Sequence, residues 1–208
     1  MLTVVPVVVG ESAAGSWQYL LRGLWESGLR LGELLDVHWT DPQYLVPNWG
    51  TGMYPVLSIP HERQKNATEE SIPLLPGFEA VLQETPSENR SGFVFEPESL
   101  QTKAGRKPGD ERLRVEWIDK VVTRIGEKAG VVVVPEKNDK PAKFASAHDL
   151  RRSCADRLVE AGVSERDVAS VMRHASVETT RRHYAPGTVQ RSAATIRDRL
   201  SIQIAVTS

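Results

Sequence analysis

The sequence predicts a mainly α-helical (α+β) fold with a small antiparallel β-sheet at one edge. Apolar residues recur at helical spacing over Gly15 to Leu35, Trp117 to Ala129 and His148 to Gly162, whereas residues 44 to 74 hold short β-like runs broken by Gly, Pro and Asn. With 208 residues and 40% hydrophobic content, the chain can bury an ordinary core. A single domain is expected over 1–208, with an N-terminal segment 1–15, a core 16–187 and a C-terminal helix and tail 188–208.

The first helix or helix pair, Gly15 to Leu35, is predicted to carry Trp17, Leu20, Leu21, Leu24 and Trp25 on one face. The glycines of Gly28-Leu29-Arg30-Leu31-Gly32 interrupt it and set the turn that aims Arg30. Tyr44 to Val46, Val56 to Pro60 and Ser71 to Leu74 are the expected strands, with Lys65 in the second turn. Pro76 to Gln83 reads as a short helix and Phe93-Val94-Phe95 as a buried segment. A basic loop follows over Gln101 to Asp110, then a helix from Trp117 that stops at Gly130. Pro135 to Lys143 reads as a second basic loop, holding Lys137, Lys140 and Lys143.

The next helix starts with Ser146 and Asp149 as a capping box, repeats Leu150, Cys154 and Leu158, and ends at Gly162. That spacing puts His148 and Arg151, three apart, on one helix face. Ser164 with Asp167 opens a short helix through Val168, Val171 and Met172 toward His174. Ser176 starts another that carries Tyr184, and Val189 to Leu200 is the last helical pattern. No internal repeat is visible.

No stretch approaches the roughly 18 apolar residues of a membrane span. The opening apolar run is short, holds Pro6 and lacks a basic flank, so it does not read as a signal peptide. The single cysteine excludes an internal disulfide, and no Cys/His zinc pattern appears. A cytoplasmic setting is the simplest expectation. Net charge is −1, but unevenly spread: residues 1–100 hold 5 basic and 13 acidic side chains (−8), and residues 101–208 hold 21 and 14 (+7). Such asymmetry fits a protein with one basic face toward an anionic partner. On charge alone, two ordinary solvated surfaces explain it equally well.

The strings G-L-R-L-G-E (28–33), H-D-L-R (148–151) and the later His174 and Tyr184 resemble the tyrosine recombinase (phage integrase) family. That family carries an arginine in G-L-R-x-G-E, a lysine on a hairpin before a V-P-L-like strand, H-x-x-R, a further His or Trp, and a tyrosine about ten residues on. Lys65 before Ile72-Pro73-Leu74 matches the hairpin lysine, so every position of the pattern is filled. The resemblance implies a catalytic domain that cleaves and rejoins double-stranded DNA through a 3'-phosphotyrosyl intermediate, with no cofactor and no metal.

In that chemistry Tyr184 is the nucleophile, Arg30 and Arg151 hold the non-bridging oxygens, His174 donates a further hydrogen bond, His148 accepts or orients a proton, and Lys65 protonates the leaving 5'-oxygen. Arg152, Arg173, Arg181, Arg182 and Lys143 are the expected DNA-backbone contacts. Each residue also has a bland role: Arg30 capping its helix with Glu33, Lys65 solvated beside Arg63, Tyr184 packing, Cys154 in the core. Carboxylates show no paired metal-ligand spacing, which disfavours a two-metal nuclease.

Two departures from the family stand out. Arg173 sits where glycine usually precedes the second histidine, so it either adds a phosphate contact or strains the turn. The helical core-binding domain that normally precedes the catalytic domain is expected to be absent, calling for a separate N-terminal domain or partner protein, and action as a homo-oligomer, a tetramer, on DNA. The rivals are a type IB topoisomerase-like relaxer and a non-catalytic DNA-binding remnant.

Overall fold

The computed structural model describes residues 1–50, 52–60, 70–98, 112–138 and 140–173. The chain divides into two compact units, Met1–Arg157 and Leu158–Ser208.

In the first unit the apolar N-terminus folds as helix. A 3-10 turn over Leu2–Val4 leads into α1 (Val5–Val9), which Pro6 can enter because the first-turn N–H it lacks has no helical partner. Val5 and Val9 are buried, so this segment belongs to the core. Helix α2 (Glu11–Ser27) begins four residues earlier than expected and organises the unit. Its Trp17, Leu20, Leu21 and Leu24 are buried; Trp25, predicted on the same face, is 38% exposed. At about 100° per residue Trp25 falls at the rim of that stripe, and the Arg157 guanidinium covers its ring at 4.4 Å.

Around α2 pack α4 (Pro76–Gln83), α5 (Val115–Lys128) and the segment that holds Val94 and Phe95. Phe95 stacks on Tyr19 at 4.9 Å and lies so close to α2 that a Cβ on Gly23 would come within 2.5 Å of its ring. Trp17 meets the edge of Trp117 at 5.7 Å.

The edge sheet is antiparallel in the order β1 (Val46–Asn48), β2 (Val56–Ile59), β3 (Glu70–Pro73). Leu57 pairs with Ile72, and both face the core. The first strand lies two residues later than expected, because Tyr44 instead stacks on His38. Residue 65 falls between β2 and β3 in sequence but outside the described residues.

The expected loop at 135–143 is the turn of a hairpin whose flanking strands went unexpected, and of its residues only Lys143 is strand. β4 (Val132–Val134) and β5 (Lys143–Phe144) form a two-stranded hairpin, turned at Asn138 with φ 51°. The β-branched valines favour an extended chain even though all of them are exposed.

Helix α6 (Ala147–Glu160) holds the boundary between the units. In the second unit, Gly162 ends α6 at φ 79°, and its N–H donates to the Val159 carbonyl at 3.0 Å. Ser164 caps α7 (Glu165–Val171) by accepting from the Asp167 N–H at 3.2 Å, and Val168 and Met172 are buried. The expected helices at Ser176 and Val189 and the loop 101–110 lie outside the described residues. Among those described, no helix is long and apolar enough to cross a membrane.

Candidate active site

The site begins where α2 ends. Gly28 takes φ 68°, a left-handed value that glycine tolerates without cost, and turns the chain back toward a short helix, α3 (Leu31–Leu35). Only this first glycine is required by the turn. Gly32, expected to share that task, lies inside α3 without a positive φ, and a Cβ there would meet nothing within 4 Å.

Arg30 is the N-cap of α3. Its backbone N–H donates to Glu33 Oε2 at 2.9 Å and its Nη1 to Glu33 Oε1 at 2.8 Å. The bland role weighed for Arg30 is therefore present: it does cap and ion-pair with Glu33. Yet its side chain is 53% exposed, so the pair lies open to solvent.

Arg151 reaches the same place from α6. It is 3% exposed, its Nη1 donates to the Gly28 carbonyl, and the same nitrogen lies 3.9 Å from Glu33 Oε2. A guanidinium so buried needs partners, and a carbonyl and a carboxylate supply them. The structure thus brings Arg30 and Arg151 together around one acid, Glu33, whose side chain is 17% exposed.

Glu33 is the site residue that the sequence reading passed over, treating it only as a capping partner. Its signal was the last letter of the G-L-R-x-G-E string, three residues after an arginine and at the third position of a helix.

The start of α6 is fixed by Asp149. Its Oδ2 accepts from the Ser146 N–H at 3.0 Å and hydroxyl at 2.6 Å, and its Oδ1 from Lys143 Nζ at 3.1 Å. The acid's half of the predicted capping box forms, while the serine hydroxyl bonds the carboxylate rather than a backbone N–H. Burial raises the Asp149 carboxyl, but the Ser146 and Lys143 hydrogen bonds more than offset it and hold it below its ordinary value. Lys143, expected on DNA, pairs with Asp149 and keeps a side-chain exposure of 53%.

His148 is exposed in the first turn of α6, and Arg152 is exposed on the next. Cys154 is buried, and burial pushes its thiol above the ordinary value, as suits a core residue. In the second unit, Arg173 follows α7 at φ 48°, in the left-handed region, and its N–H donates to the Ser170 carbonyl at 3.0 Å. Lys65, His174, Arg181, Arg182 and Tyr184 lie outside the described residues. Among those described, no three His, Cys, Asp or Glu side chains converge as a cation site requires.

Solved structures share this fold. The integrase of transposon Tn1549, in complex with circular-intermediate DNA, is 18% identical with a TM-score of 0.57, over 96% of this chain and 63% of that one. The XerH site-specific recombinase, bound to palindromic difH in a post-cleavage complex, is 21% identical with a TM-score of 0.54, over 95% and 51%. The chain therefore spans less than two thirds of the length of either protein.

A 92-residue stretch is also 34% identical to a phosphoribosyl-ATP pyrophosphatase of Streptococcus gordonii, over 43% of this chain and 88% of that protein. That likeness takes in under half of the sequence. The fold matches cover nearly all of it, and so does the model of the phage integrase family, which matches residues 11–191. The chain belongs to the phage integrase family.

Proposed function

We propose that the chain is the catalytic part of a site-specific DNA recombinase, an enzyme that cuts one strand of double-stranded DNA through a protein–phosphate ester and rejoins it. Family membership supports this, as do solved relatives of the same fold that hold DNA. The observation that carries it is the meeting of Arg30 and Arg151 on one carboxylate, that of Glu33.

Each step has a residue. The Tyr184 oxygen attacks the scissile phosphorus, and its proton passes to His148 or to water that His148 orients. Charge grows on the non-bridging oxygens, where two forked arginines and His174 bind it better than point charges would. The bond from phosphorus to the 5'-oxygen breaks, and Lys65 supplies the proton that the oxygen takes up. The ester's energy stays in the 3'-phosphotyrosyl link, so a second DNA 5'-hydroxyl can reverse the step without ATP. Arg152, Arg173, Arg181 and Arg182 contact the backbone, and recombination takes a homo-oligomer on DNA together with a core-binding domain or partner.

Tyr184→Phe should abolish a covalent adduct on nicked duplex DNA and leave non-covalent binding nearly intact. An adduct that persists in that variant refutes the assignment. Because cations stand on the phosphate oxygens, the wild-type adduct should also form in excess EDTA.

A further inference from the structure

Glu33 sits where an anion bound by both arginines would sit. One of its oxygens takes the Arg30 guanidinium at 2.8 Å, and the other lies 3.9 Å from Arg151 Nη1 while accepting the Arg30 backbone N–H at 2.9 Å. We propose that Glu33 is a positioning residue that holds the Arg30 guanidinium in place of a phosphate and hands it over when a phosphate arrives. The identity of that phosphate, the DNA backbone, rests on the function proposed above.

The two arginines are held very differently. Arg151 is fixed, with 4% of its side chain exposed and a donor on the Gly28 carbonyl. Arg30 is 53% exposed, and an ion pair so open to water is weak and readily exchanged. An incoming phosphate oxygen therefore meets the exposed Arg30 guanidinium first and draws it off Glu33 Oε1, beside the fixed Arg151.

Glu33 loses little in the exchange, because its Oε2 keeps the Arg30 backbone N–H and the helix cap survives. Without an acid between them, two neighbouring guanidiniums would repel each other. With it, the three groups together carry one net positive charge instead of two.

Sulfate, a tetrahedral dianion at neutral pH, tests this on the full 208-residue chain. Glu33→Gln removes the competing charge but keeps an oxygen for the Arg30 N–H. It should bind sulfate about tenfold more tightly than wild type, since a unit charge a few ångströms away is lifted, and the gain should vanish when Arg30→Gln is added. Equal or weaker binding in Glu33→Gln overturns the exchange, because a residue that merely braces the site would weaken it when lost.

A measurement on the wild-type chain guards against a variant that misfolds. The Glu33 carboxyl carbon resonance should move in step with the Arg30 guanidinium signals as sulfate is added, and arginine signals that move alone overturn the proposal. The two readings fail separately. A sulfate response without any adduct on nicked DNA sinks the recombinase and leaves the exchange standing, whereas an adduct without the sulfate response does the reverse.

Discussion

Arg173 adopts φ 48°, a backbone region in which a Cβ costs about 1–2 kcal/mol and glycine costs little. The phage integrase family usually has glycine there, so this chain keeps a strained arginine. Arg173→Gly should raise stability by up to about 1 kcal/mol, the relieved strain less the entropy glycine regains when unfolded, as urea unfolding would show. If the guanidinium contacts a phosphate, the slope of log affinity against log salt should become shallower by about 0.9. An unchanged slope would leave strain without benefit. Arg151→Lys tests the fork in the same way. A point ammonium cannot serve a buried carbonyl and a phosphate together, so single-turnover cleavage should fall on the order of 10²-fold. A near-normal rate would take Arg151 off the scissile phosphate.

Helix α5 meets the chain just after β5 at a point that admits no side chain: a Cβ on Gly126 would lie 2.1 Å from the Ala145 carbonyl oxygen. Gly126→Ala should therefore cost about 1–3 kcal/mol through overpacking, read as a lower melting temperature. Asp149 ties β5 to α6 through Lys143 and Ser146, and its carboxyl is held below the ordinary value. A depressed carboxyl stabilises the fold fully above the unfolded aspartate value of about 3.9, and the benefit is lost as pH falls from there toward the folded value. Asp149→Asn should thus destabilise the protein at neutral pH and match wild type in strong acid. A difference that does not shrink with pH would place the effect in packing. Elements with punctuation were legible in the sequence: α4 has its expected bounds because Pro76 marks its start, and α5 and α6 end near the glycines that stop them. The β4–β5 hairpin was not legible, because four consecutive valines show neither period. Nor was α1, whose valines favour a strand on propensity and fold as helix only because Val5 and Val9 find the core.

At the scale of the whole chain, charge and connectivity carry the argument. Residues 101–208 are net positive and residues 1–100 net negative, so affinity for duplex DNA should rest on phosphate contacts from the later part and fall steeply with salt. Filter binding across a salt series checks this; tight binding that ignores salt would point to base readout instead. Lys143→Ala should make that slope shallower by about 0.9 if its ammonium, 53% exposed, leaves the open pair with Asp149 for a phosphate, and an unchanged slope would keep it on Asp149. The residue types of the site could be read from sequence strings, but the shared carboxylate of Glu33 could not. Arg30 and Arg151 meet only through tertiary packing, and spacing along a chain says nothing of that.

The bond from Arg151 to the Gly28 carbonyl joins groups 123 residues apart, and it sets a time as well as a place. At roughly 5–20 residues per second, a ribosome takes about 6–25 s to go from one to the other. Until then the Arg30–Glu33 pair can close on its own, three residues being enough, but the fixed arginine is missing. If the chain is the recombinase proposed above, a nascent chain should be unable to cut DNA until α6 and then Tyr184 have been made, and a product that stops short of α6 should be inert from the start.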